Sequence, residues 1–179
     1  MTRTFVALTP PDTALDALVA LQRNLPAPRL VPAENMHLTL AFLGDLSDAD
    51  LDELHLALSA IHTRPFDLCV AGLDVFGGDT PRQVHATLRP SEPLIQLQAS
   101  VLRAARRAGL TVAHRRFVPH ITLARLPMLV DYAAIGRFVA TRALLPGPEF
   151  AVGSFQMFAS HLSDKGARYE VLADYPLIG

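Results

Sequence analysis

Residues 36–45 read MHLTLAFLGD, and residues 118–125 read VPHITLAR. Both set His-x-Thr-Leu in an apolar run of strand-like composition. Residues two apart on a strand share a face. His37 and Thr39 therefore project together while Leu38 and Leu40 turn toward a core. His120 and Thr122 do the same, with Ile121 and Leu123 on the buried side.

The flanks repeat as well. VALTPPDTALDALVALQ (6–22) leads to the first stretch, and HATLRPSEPLIQLQASVL (85–102) leads to the second. Each unit is a strand, a Pro-containing turn with an acid, a helix, and then the His-x-Thr strand. Leu8 and His37 stand 29 positions apart (37 − 8), and Leu88 and His120 stand 32 apart (120 − 88). In the first unit we expect a strand at Phe5–Leu8, a helix capped by Asp12 or Thr13, and a strand at Met36–Leu43. Ser47 then caps a helix buried through Leu51, Leu54, Leu58 and Ile61, followed by a strand at Phe66–Phe76. In the second unit we expect a strand at Val84–Leu88, a helix from Ser91 to about Ala108, and a strand at Phe117–Ala124 with Pro119 at its entry. A helix over Asp131–Ala143 and strands at Glu149–Ala159 and Arg168–Ala173 follow. Each unit closes with a strand opened by an aromatic residue, Phe66 and Phe150. An internal duplication follows, with two similar lobes about an approximate twofold. The units have no linker between them, so residues 1–179 should form one continuous body.

Composition bounds the function. Half of the 179 residues are apolar and 18% are charged, enough for a sizeable core and too few charges for a disordered chain. The net charge of −1 argues against a protein that coats nucleic acid by bulk electrostatics, though not against one that reads a single end. Charge is uneven: residues 1–90 hold 6 bases and 11 acids, residues 91–179 hold 10 and 6, and 15 of the 16 bases are Arg. Arg103, Arg106, Arg107, Arg115, Arg116 and Arg125 cluster, either as a solvated face or as a phosphate-facing patch. Cys69 is the one cysteine, so neither an internal disulfide nor a Cys-rich zinc site is expected. No apolar run is long enough for a membrane span. A soluble cytoplasmic protein, acting as a monomer, is the expectation.

Two imidazoles whose ordinary pKa lies near neutrality can act as an acid and base pair: one accepts a proton from water, the other gives one to a leaving oxygen. Two Thr hydroxyls add donors for phosphate oxygens. The set suits metal-free hydrolysis of a phosphodiester, most easily a cyclic one. A single strand histidine is more often structural; two at equivalent points of a repeat are a different signal. No metal or cofactor is expected, because each His-x-Thr offers one good ligand and no acid flanks it closely. Of the other histidines, His55 and His62 should face solvent. His114 could touch a nucleic-acid backbone, His161 lies at a strand end, and His85 could face the cleft. No Gly-x-Ser-x-Gly and no glycine-rich phosphate loop is present.

With these motifs the sequence resembles the 2H phosphoesterase superfamily, and most closely the bacterial and archaeal RNA 2',3'-cyclic phosphodiesterases, also called 2'-5' RNA ligases. The resemblance runs through NMHLTLAFLGD, PFDLCVAGLDVFG, PRQVHATL, RRFVPHITLAR and the closing SFQMFASHLS and ARYEVLADYPL. It implies an α+β, bilobal fold: two pseudo-twofold-related lobes, each an antiparallel sheet flanked by helices, about a central cleft. It implies hydrolysis of RNA 2',3'-cyclic phosphate ends to 2'-phosphates, with His37 as proton donor and His120 as proton acceptor. Thr39 and Thr122 would hold the phosphate, and Arg125 would neutralise it. Plain alternation puts Arg125 on the face opposite His120, so that role requires a bend or strand end. Ala41, Leu30 and His85 stand where relatives often carry a basic residue, an aromatic and Trp, which implies weaker stacking on a terminal base. Two alternatives stay open: another 2H activity, on small cyclic nucleotides, on 2'-5' oligonucleotides or as 2'-5' ligation, and a non-catalytic module that binds RNA ends.

Overall fold

The computed structural model describes residues 1–78, 80–113, 116–163 and 166–179. His114 and Arg115 of the cationic segment, and Asp79, Asp164 and Lys165 of two expected turns, lie outside the described residues.

Among the described residues nine strands and four helices follow one another as β1 (Thr2–Leu8), α1 (Asp12–Gln22), β2 (Arg29–Leu30), β3 (Leu38–Leu46), α2 (Asp48–Ser59), β4 (Phe66–Phe76) and β5 (Gln83–Leu88), then α3 (Glu92–Arg107), β6 (His120–Arg125), α4 (Tyr132–Ala140), β7 (Glu149–Val152), β8 (Ser154–Ser163) and β9 (Gly166–Pro176). A short 3-10 turn at Ala33–Asn35 precedes β3. The strands form two antiparallel sheets. Sheet A has the order β3-β1-β8-β9, and sheet B has the order β2-β6-β5-β4-β7. This is the α+β, two-lobed architecture that the resemblance implies.

Local chemistry explains most element starts. Ser47 caps α2 in a full capping box with Asp50, whose carboxylate returns a bond to the Ser47 backbone. Ser91 caps α3 by accepting from the Leu94 N–H, and Asp131 caps α4 by accepting from the Ala134 N–H. At α1 the expectation of an Asp12 or Thr13 cap is corrected. Pro11 occupies the cap position without a side-chain bond, and Asp12 sits in the first helical turn, where its charge suits the helix dipole. The buried face of α3 is Leu94, Leu97, Val101, Ala104 and Ala105. One continuous apolar core draws on both sheets and all four helices, which fuses the lobes.

The duplication is real, but its closing strands are exchanged. The order β3-β1-β8-β9 corresponds to β6-β5-β4-β7, with β2 added outside β6. β4 ends the first unit yet pairs with β5 of the second; β8 ends the second yet pairs with β1 of the first. The expected single strand over Glu149–Ala159 is therefore two strands broken at Gly153. β7 joins β4 in sheet B, and β8 crosses to β1 in sheet A. The counterpart of β4, opened by Phe66, is β8 rather than the segment opened by Phe150. Alternation within a segment cannot report which sheet it joins, because both sheets bury the same kind of face.

Candidate active site

Each His-x-Thr strand carries one extra residue at the same point. On β3, Ala7 pairs with Thr39 and Val6 with Ala41, which leaves Leu40 unmatched. On β6, His85 pairs with Thr122 and Val84 with Ala124, which leaves Leu123 unmatched. Such a bulge shifts the phase of the alternation by one. Leu40 with Ala41, and Leu123 with Ala124, are accordingly all buried. The residue after each pair returns to the His/Thr face: Phe42 on β3 and Arg125 on β6. The bend that Arg125 needed is this bulge.

The two histidines are held alike. Each lies at the mouth of its strand and donates from Nδ1 to the backbone carbonyl two residues earlier, His37 to Asn35 at 2.7 Å and His120 to Val118 at 2.8 Å. A carbonyl only accepts, so the Nδ1 proton is fixed and Nε2 is left as the working nitrogen. Burial is the first cause that pushes His37 down to about 4. The Asn35 carbonyl opposes it, and the positive fields of Arg125 and then His120 lower it further. Burial also lowers His120, against the pull of the Val118 carbonyl. The action of both Arg125 and His120 on His37 brings the two motifs to one electrostatic site across the sheets, whose strands β3 and β6 lie against each other. Thr39 and Thr122 are half-buried, and among the described residues neither hydroxyl has a hydrogen-bond partner. Arg125 is exposed.

The two walls differ. On sheet A, the ring of His37 meets Phe5 (centroids 4.9 Å apart) and the edge or face of Tyr169 (5.0 Å), and Phe5 stacks on Phe158. Phe42 extends this wall while remaining 68% exposed. On sheet B, His120 meets Phe76 and His85 at steep ring angles, and His85 stacks on Phe76 at 4.0 Å. His85 is only 1% exposed, and its Nδ1 has no partner among the described residues. Burial and then His120 lower it to about 4, with Asp74 opposing.

Among the expected residues, His37, Thr39, His120, Thr122 and Arg125 come to this one face system. His85, open in the sequence, joins it through His120. His55 and His62 are exposed, as expected, although His55 also bonds the Tyr175 hydroxyl at 3.0 Å. His161 is exposed and pairs with Glu170 across the β8–β9 hairpin. Arg103, Arg106 and Arg107 are exposed on α3. The sequence reading did not single out Phe5, Phe42, Phe76, Phe158 or Tyr169. Phe42 had a signal: it stands five positions after His37, as Arg125 stands five after His120.

The model of the 2'-5' RNA ligase superfamily matches residues 10–164. An RNA 2',3'-cyclic phosphodiesterase of Escherichia coli (strain K12) is 33% identical, over 84% of this chain and 81% of its own. One of Geobacillus stearothermophilus is 32% identical over 87% of this chain, and the chain spans 50% of that relative's length. The crystal structure of E. coli LigT complexed with 3'-AMP is similar with a TM-score of 0.81 at 27% identity, covering 99% of each chain.

Proposed function

The chain belongs to the 2'-5' RNA ligase superfamily, the two-histidine phosphoesterases, and we propose that it hydrolyses RNA ends bearing a 2',3'-cyclic phosphate to 2'-phosphomonoesters. The observation that carries this reading is the matched pair of imidazoles, each locked through Nδ1 to a carbonyl and coupled through space at one site. The names of the relatives supply the substrate class.

In the reaction as proposed, the cyclic phosphate lies between the two Nε2 atoms. His120 takes a proton from water as the water oxygen bonds to phosphorus. The P–O3' bond breaks, and His37 gives its proton to the departing O3'. A second proton transfer between the histidines and solvent resets the pair. Both imidazoles are held neutral in the free protein, so the phosphate anion has to raise His37 into its charged form. Arg125, which disfavours that charge in the free site, is then neutralised by the same anion. The Thr39 and Thr122 hydroxyls donate to the non-bridging oxygens, and the exposed Phe42 ring offers a stacking surface for the terminal base. No step requires a metal, since both proton transfers run through imidazole. The reading includes a monomeric cytoplasmic enzyme, in keeping with its single free cysteine. Among the described residues no helix is long and apolar enough to cross a membrane.

The test is incubation with 2',3'-cyclic-ended RNA and identification of the product isomer. A 2'-phosphate in the presence of chelator is the expected result. A 3'-phosphate, or no product, overturns the reading.

A further inference from the structure

One row of side chains crosses the site face of sheet B: Arg29 on β2, Arg125 on β6, Gln83 on β5 and Phe76 on β4 are register partners in sequence. Arg29 and Arg125 are thus direct cross-strand neighbours, with Cβ atoms roughly 5 Å apart. Like charges set opposite each other on adjacent strands repel and weaken the pairing. β2 has only two residues with which to resist that. Among the described residues no carboxylate relieves it. Among the described residues neither guanidinium has an ion-pair or hydrogen-bond partner, and both side chains are exposed. A lone cation on an edge strand discourages pairing with another chain, but that purpose calls for no second cation, and Arg125 lies on an interior strand.

The fold nonetheless holds this repulsive pair firmly. The amide of Gln22, itself buried, donates to the carbonyls of Val31 at 2.8 Å and Leu123 at 2.7 Å, and the Val31 N–H donates to the same Leu123 carbonyl at 2.8 Å. One buried side chain thereby staples the end of β2 to the bulge of β6, in the turn that also sets Arg125. A repulsive pair that has no counter-ion among the described residues and is pinned in place is preorganised for anions that arrive from outside. Guanidinium matches phosphate geometry, and two adjacent phosphates would turn the mutual repulsion of the arginines into attraction.

We propose that Arg29 grips the phosphodiester immediately 5' of the terminal nucleotide, so that Arg125 and Arg29 clamp consecutive phosphates and make an RNA chain a better substrate than a cyclic mononucleotide. This rests on the reading that the site takes a cyclic RNA end. Arg125 stands on the same face of β6 as His120 and Thr122, so it is assigned to the reacting phosphate. Arg29 lies one strand further out, about 4.8 Å away in the pairing direction, a step on the scale of phosphate spacing in a splayed single strand.

The experiment compares kcat/KM for a 2',3'-cyclic-ended trinucleotide and for a nucleoside 2',3'-cyclic monophosphate in the wild type, Arg29→Ala and Arg29→Lys. Alongside, binding of a 3'-phosphorylated RNA oligomer is followed by fluorescence anisotropy across a salt series. Arg29→Ala should lower the trinucleotide value about tenfold and the mononucleotide value about twofold or less, and should reduce the salt slope of oligomer binding by about one. Arg29→Lys should recover the salt slope and part of the rate. An equal loss on both substrates, or no loss on either, overturns the clamp. If the wild type turns over neither substrate, the functional reading fails on its own. The salt slope then decides the clamp: a drop of about one in Arg29→Ala sustains it, and an unchanged slope sinks it.

Discussion

The two His-x-Thr strands share a histidine lock, a bulge and a threonine, and they part company at the residue that follows the bulge. β3 places Phe42 there, against a wall of Phe5, Phe158 and Tyr169. β6 places Arg125 there, beside Arg29 and Gln83. The shared parts suit what acid and base catalysis needs twice over: an imidazole of fixed tautomer and a hydroxyl beside it. The differing parts supply what a polar substrate needs only once, a flat apolar surface at one end and positive charge at the other. On the proposed reading a symmetric scaffold thus acquires a direction, with the base on the sheet A side and the phosphate chain on the sheet B side.

The strongest way to break this comparison is to remove its shared parts. His37→Ala and His120→Ala should each lower kcat for a cyclic phosphate by about 10³-fold or more, with the thermal transition kept. A variant that retains near wild-type turnover would show that the duplicated lock is structural. The pH profiles of the weakened variants sharpen the assignment: loss of His120 should remove the limb that belongs to the base, and loss of His37 the limb that belongs to the acid.

Arg125→Ala comes next. It should lower kcat/KM by about 10- to 100-fold through lost phosphate neutralisation, and Thr122→Val by about tenfold through one lost donor. Phe42→Ala should act differently, raising KM about tenfold with kcat nearly unchanged, because base stacking of roughly 1–3 kcal/mol is made equally in ground and transition states. If Phe42→Ala and Arg125→Ala give the same split between KM and kcat, the proposed division of labour between the walls is wrong.

The smallest expected effect on activity concerns the rings around His120. His37 and His85 titrate at about 4 in the folded protein, and His120 is also lowered. An unfolded imidazole titrates near 6.5, so between about pH 6.5 and 4 the unfolded chain binds more protons. The stability these groups contribute is complete above that window and is lost as the pH falls through it, by about 3 kcal/mol for one fully shifted imidazole. Denaturant unfolding at pH 7.5 and pH 5 should show the drop. His85→Phe, which keeps a ring against Phe76 without a titratable nitrogen, should flatten the slope; an unchanged slope would mean that His85 is not the buried neutral group described above.

The duplicated pattern of strand, turn, helix and His-x-Thr strand was legible in the sequence because it is local. Apolar alternation, helical periodicity and Ser47 and Ser91 as caps all act within a few residues. His37, Thr39, His120 and Thr122 were legible because they recur, whereas Arg125 was legible only through the family resemblance, since Phe42 stands at the equivalent point of the first motif. His85 was legible only as a candidate, since a histidine in a strand pattern looks the same whether it meets water or another ring. The aromatic wall was not legible: Phe5, Phe158 and Tyr169 come from three strands that only sheet pairing brings together. The break at Gly153 and the exchange of β4 and β8 were hidden for the same reason.

The sequence by itself determined most of the elements, the twofold plan and the paired His-x-Thr motifs, since these rest on residue type and short-range period. Only the tertiary structure decided which sheet each closing strand joins, where the bulges at Leu40 and Leu123 turn Phe42 and Arg125 onto the working face, and that Arg29 lies beside Arg125. Register between strands distant in the chain is set by packing of the whole core, and a one-residue shift in it reverses the side to which every later residue points.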